Sequence, residues 1–260
     1  MTGRALITGA GDRLGRAMAL HLGAQGFDVA VHYNSSSDGA RETAEEIIAQ
    51  GGKSVTLGAN LLDEEATQAL LPRAREALGG PITCLVNNAS IFEEDSIETG
   101  TRESWDRHLE SNLRAPVVLT QHLAADAPDP DTDDRGEPVA RALVVNMLDQ
   151  RVRKLTPAFM SYTIAKMGLW TFTRTAAQAL APRVRVNAIG PGPTLRGTRQ
   201  SEKHFQDQRD ATILERGSNP EDICAALQYF VDARAVTGQL LCVDGGQHLA
   251  WQTPDVLGPE

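Results

Sequence analysis

Short apolar runs separated by longer amphipathic stretches constrain this chain more than any other feature. The runs fall at residues 5–8, 29–33, 54–57, 82–86, 142–147, 185–188 and 240–243. Helical patterning lies between them, for example at 14–25, 38–50, 64–78 and 161–180. A strand buried on both faces reads as a continuous apolar run, and parallel strands need a long crossover between them. The alternation therefore predicts βαβ units. Right-handed crossovers make a single-domain, doubly wound α/β fold the economical topology, with seven parallel strands and helices on both faces. With 260 residues and 41% hydrophobic content, the chain is large enough for one such domain over 1–260.

Charge and composition remove several function classes. The formal net charge is −9, and the stretch 126–137 alone holds six acids and one arginine. That stretch reads as an exposed acidic loop. An acidic chain without a basic stripe is a poor nucleic-acid binder. No run approaches the ~18 uninterrupted apolar residues of a membrane span, and no charged-then-apolar leader opens the sequence. Cys84, Cys224 and Cys242 have neither metal-ligand nor disulfide-framework spacing. His32, His108 and His204 show no ligand spacing either, so no metal is expected. The expected location is the reducing cytoplasm.

Thr8-Gly9-Ala-Gly11-Asp-Arg13-Leu-Gly15 directly follows the first strand and opens a helix. Glycines allow a tight turn and close backbone approach to a pyrophosphate, and the helix N-terminus offers unpaired N–H groups. The G-x-G-x-x-G spacing is not met, because Leu14 stands where the third glycine would fall. The second strand ends in His32-Tyr33-Asn34-Ser35-Ser36, with no acid until Asp38. An NAD site usually has an acid there for the ribose hydroxyls. Small donors at Ser35 and Ser36, with Arg13 as a nearby cation, suit a 2′-phosphate and predict NADPH over NADH.

Tyr162 and Lys166 lie four apart on one helix face. There an ammonium can lower the phenol pKa from its usual ~10 and make a usable proton donor. Asp149 precedes the tyrosine by thirteen residues and ends the fifth strand run. An ionised aspartate there would repel a developing alkoxide. A protonated one can donate to a ring nitrogen. Asp149 thus fits an acceptor with basic ring nitrogens better than a plain ketone. An alternative is a carboxylate that only pairs with Arg13 or Arg151.

With these motifs stand Asn87-Asn88-Ala89, Asn112 and Pro191-Gly192. Together they resemble the short-chain dehydrogenases/reductases over essentially the whole length. Arg13 in place of a glycine, Asp149 in place of a serine, and Ser90-Ile-Phe92 after Asn-Asn-Ala look like the pteridine reductase branch. Asn34-Ser35-Ser36 departs from it, since some of those enzymes carry an arginine beside that serine. The resemblance implies a homotetramer that binds NADPH/NADP+ and a pterin or folate. It implies catalytic roles for Asp149, Tyr162, Lys166 and Asn112, the last bending a helix that runs over 103–111. It implies cofactor contacts from Gly9, Arg13, Leu14, His32, Tyr33, Asn34, Ser35, Ser36, Asn60, Leu61, Asn88, Ala89, Ser90, Tyr162, Lys166, Pro191 and Gly192. Substrate contacts would come from Arg13, Ser90, Phe92, Asp149, Tyr162 and Pro193, with Phe92 stacking a flat heteroaromatic ring. The segment 194–218 reads as a substrate-side lid, and 251–260 as a tail that covers a neighbouring subunit's site or stays loose. Two other readings stay open: a carbonyl reductase of the same fold, and an idle NADP-binding sensor.

Overall fold

The computed structural model describes residues 3–197 and 200–251. The expected tail falls mostly outside the described residues. Seven strands form one parallel sheet: β1 Arg4–Ile7, β2 Asp28–Tyr33, β3 Ser54–Gly58, β4 Cys84–Asn87, β5 Ala142–Met147, β6 Val184–Pro191 and β7 Leu240–Val243. Their order is β3-β2-β1-β4-β5-β6-β7. The register runs from Ile7 beside both Val31 and Val86 to Asn146 beside Asn87 and Ala188. This is the doubly wound, Rossmann-like single-domain fold expected from the sequence.

Among the described residues, eight α-helices connect the strands: α1 Arg13–Ala24, α2 Ser37–Ala49, α3 Glu64–Leu78, α4 Arg102–Leu109, α5 Ala115–Asp126, α6 Met160–Leu180, α7 Glu202–Asp210 and α8 Pro220–Asp232. Alternate strand residues point to opposite faces, and two cores result. Ile7, Val31, Val86 and Val145 pack with Met18 and Leu22 of α1 and Leu227 and Phe230 of α8. Leu6, Ala30, Leu85 and Val144 pack with Leu70 of α3, Leu119 of α5 and Ala176 of α6. All six residues of β5 are buried, as a central parallel strand requires.

Two expectations need correction. The acidic stretch 126–137 is not plain loop, because Asp131–Thr132 pairs antiparallel with Pro138–Val139 around a turn at Gly136. The weakly periodic segment 194–218 contains α7, capped by Ser201, whose side chain accepts from the His204 N–H. No residue of α7 is buried, so the apolar stripe that reveals a helix from sequence is missing.

Candidate active site

The strand order reverses between β1 and β4. In such sheets the loops leaving the carboxyl ends part at this point and leave a crevice. A cleft of about 490 Å³ opens here. Gly9 adopts φ +64°, which favours glycine, and a Cβ at Gly15 would lie 2.0 Å from the Gly9 carbonyl. The loop can therefore lie this tightly only without side chains at those positions. Asn88 fastens it from just beyond β4, its Nδ2 donating to the carbonyls of Thr8 (2.8 Å) and Gly9 (3.1 Å). His32 fastens it from β2. The Gly9 N–H donates to His32 Nδ1 at 3.0 Å, so Nε2 carries the proton and donates to the Ala59 carbonyl at 3.1 Å. Burial pushes the His32 pKa down to about 4.

The far end of the cleft holds the catalytic candidates. β5 ends at Met147, two residues before Asp149, which caps the short helical turn Gln150–Val152. The Arg151 N–H donates to Asp149 Oδ1 at 2.8 Å, and the Tyr162 hydroxyl donates to Asp149 Oδ2 at 3.0 Å. Among the described residues no ion pair joins Asp149 to Arg13 or Arg151. Lys166, fully packed beneath, donates from Nζ to the Met147 carbonyl at 2.8 Å. Burial lowers its pKa to about 8, against the opposing pull of Asp149. Tyr162 departs from the sequence expectation. Its pKa is raised, first by burial and then by the Asp149 carboxylate, with Arg151 and Ser90 pulling the other way. Lys166 Nζ stands 5.7 Å from the phenol ring centroid, and the carboxylate is in direct contact with the hydroxyl. The tyrosine therefore holds its proton.

An aromatic wall stands beside this pair. Phe92 is 47% exposed and lines the cleft. Its ring stacks on Phe159 at 4.2 Å and meets Tyr162 edge-on at 4.7 Å. The sequence reading missed Phe159. It also missed a buried chain in which His108 Nδ1–H donates to Ser161 Oγ (2.6 Å) and Ser161 Oγ–H to Asp95 Oδ2 (2.5 Å). The Glu93 N–H donates to His108 Nε2 at 3.1 Å and sets that tautomer. These bonds fix the loop carrying Phe92 against the start of α6. No local spacing signals them, since they join residues 53 and 66 positions apart.

The cleft gathers Gly9, Arg13, Leu14, Tyr33, Asn34, Ser35, Ser36, Asn88, Ala89, Ser90, Phe92, Asp149, Tyr162, Lys166, Pro191 and Gly192 from the expected set. It adds Gly11, Asp12, Gly15, Met147, Leu148, Thr194 and Leu195. Five expected residues stand outside its lining. His32 supports the glycine loop from behind. Asn60 accepts from the Leu62 N–H at 3.1 Å, and Leu61 packs into the second core. Pro193 is buried, with its carbonyl accepting from Arg209. Asn112 lies in a π-helical turn, Glu110–Arg114, between α4 and α5. Its amide brackets the Ile91 backbone at 2.9 and 2.8 Å, so it braces the loop next to Phe92. Arg13 is engaged elsewhere than at Ser35 and Ser36. Its guanidinium donates to the carbonyls of Arg196 (2.9 Å) and Leu195 (3.1 Å) across the cleft mouth.

A family model described as enoyl-(acyl carrier protein) reductase matches residues 9–248. A solved structure of the alternative dihydrofolate reductase 1, FolM, from Brucella suis with NADP is 42% identical. That comparison covers 97% of this chain and 98% of the other, with a TM-score of 0.90. A 3beta-hydroxysteroid dehydrogenase 1 from Eggerthella lenta is 32% identical over 94% of this chain and 93% of its own length. The 3-oxoacyl-[acyl-carrier-protein] reductase FabG of Staphylococcus epidermidis is 29% identical over 96% of this chain and 100% of its own length.

Proposed function

The chain belongs to the short-chain dehydrogenase/reductase family, and from that membership we propose that it reduces a dihydropterin to the tetrahydro form with NADPH. Bound in the cleft, NADPH supplies the hydride, here to C6 of the ring. The cleft suits this cofactor. The side-chain-free glycine loop leads into the N-terminus of α1. Ser35 and Ser36 line the cleft just ahead of the N-terminus of α2. The first carboxylate after β2, Asp38, points outward and pairs with Arg41.

The Tyr162–Asp149 hydrogen bond carries the substrate reading. A ketone gains negative charge on oxygen as hydride arrives, and a carboxylate at the proton donor opposes that. A ring nitrogen that takes a proton gains positive charge, and the same carboxylate stabilises it. Tyr162 gives its one hydroxyl proton to N5 and releases its hydrogen bond to Asp149, whose carboxylate then stands beside the protonated nitrogen. Lys166, as an ammonium, offsets the charge left on the phenolate. Phe92 offers an aromatic face on which a flat heterocycle can stack. The Brucella relatives named alternative dihydrofolate reductase point the same way.

The second reading is a carbonyl reductase, favoured by the 3-oxoacyl and hydroxysteroid relatives. NADPH oxidation measured with dihydromonapterin, dihydrobiopterin, dihydrofolate, a ketone panel and a 3-oxoacyl thioester separates the two. Turnover of the dihydropterins is expected. Turnover of carbonyls with no dihydropterin used would refute the proposal. The working assembly is proposed to be a homotetramer, which analytical ultracentrifugation measures directly.

A further inference from the structure

Phe159 has a conformation that needs a reason. Its backbone lies at φ 58°, ψ 50°, in the left-handed region, immediately before α6. A bulky residue pays a steric cost there that glycine would avoid, and such strain persists only where surrounding contacts hold it. Among the described residues, two contacts hold its ring. The Phe92 ring lies parallel to the Phe159 ring, 9° between planes and 4.2 Å between centroids. The Arg151 guanidinium lies over the same ring at 5.1 Å. Arg151 is also the residue whose N–H holds Asp149 Oδ1. One short stretch of chain thus ties the carboxylate at the proton donor to the aromatic wall.

We propose that Phe159 is a specificity-determining positioning residue. Packed against both Arg151 and Phe92, it fixes the plane of the Phe92 ring and so sets the slot for a flat aromatic acceptor beside Tyr162. Phe159 itself lies outside the cleft lining and acts only through Phe92. The inference rests on the dihydropterin reading above.

Three substitutions separate positioning from support. Phe159→Leu keeps a Cβ and apolar bulk but cannot stack. Phe159→Gly removes the ring and relieves the backbone, and Phe159→Tyr keeps the ring. Loss of an aligned stacking surface is expected to raise KM for the dihydropterin about two- to tenfold in the Leu and Gly variants. Their kcat and NADPH affinity, read by cofactor fluorescence, should stay at parent values. Phe159→Tyr should restore the parent KM. Should the Leu variant fail to fold, the Gly variant decides alone, because its backbone is the less strained. Parent-like KM in the Gly variant would overturn the inference while leaving the function standing. A joint fall in dihydropterin and NADPH affinity would also overturn it, by showing a general structural role. Absence of dihydropterin turnover by the unaltered protein would instead remove the functional reading itself.

Discussion

On the proposed reading, Asp149 occupies the point where one carboxylate's charge selects the acceptor. Its Oδ2 accepts from the Tyr162 hydroxyl, and its Oδ1 is held by a backbone N–H, so the carboxylate cannot turn away without losing a capping bond. Asp149→Ser keeps a small polar group and removes the charge. Dihydropterin turnover is expected to fall about 10²- to 10³-fold, the usual weight of one preorganised electrostatic group. Any carbonyl turnover should persist or rise, which the same NADPH-oxidation assay reads. In the proposed reaction Lys166 sets the pH range. Its pKa is lowered to about 8 by burial, so below that pH it is an ammonium that can offset a phenolate, and above it a neutral amine. The kcat/KM profile of the free enzyme is expected to break downward as pH rises through about 8. A profile flat from pH 7 to 9.5 would contradict this role.

At the scale of elements, the site is held by side chains that bind loops to strands. His32 lies on β2 and bonds the loop after β1 and the carbonyl of Ala59 after β3. Its pKa is about 4 in the folded protein against 6.5 when unfolded. Above pH 6.5 neither state binds the proton, and the full stability is present. Below it the unfolded chain protonates first, and stability is lost as pH falls through about 4. The loss amounts to about 3 kcal/mol. Denaturant unfolding between pH 7 and 4 should show this slope, and His32→Gln should flatten it. The strands, the Tyr162–Lys166 pair and the glycine loop were legible because each is written in local period or spacing. Asp149 was legible because it sits at a strand end. Phe159, His108 and Asp95 were not, since their contacts join loops distant in sequence and no local pattern records them. The opposite error at His32 has a related cause. Its position after an apolar run marks the cofactor edge, but strand alternation turns its side chain inward, beneath the loop.

At the scale of the whole molecule, the cofactor choice depends on how the sheet brings β2 and α2 to the edge of the cleft. Ser35 and Ser36 stand between them, with the positive end of α2 behind and Asp38 turned outward to Arg41. A 2′-phosphate is stabilised at such a helix end, and a ribose hydroxyl gains less. NADPH at a hundred times its Kd should stabilise the folded protein by about 2.7 kcal/mol. In a domain of this size that raises Tm by about 5–10 °C. NADH at the same concentration should raise it by much less. Ser36→Asp reverses the logic without threatening the helix. Ser36 is the N-cap of α2 and makes no side-chain cap bond there, and aspartate is among the best N-cap residues. The new carboxylate would repel the 2′-phosphate and accept from the ribose hydroxyls of NADH. The NADPH shift is expected to shrink and the NADH shift to grow in thermal unfolding of that variant. If NADPH still protects it as well as it protects the parent, the 2′-phosphate is bound elsewhere. Arg13 would then be the first alternative, once released from the Leu195 and Arg196 carbonyls.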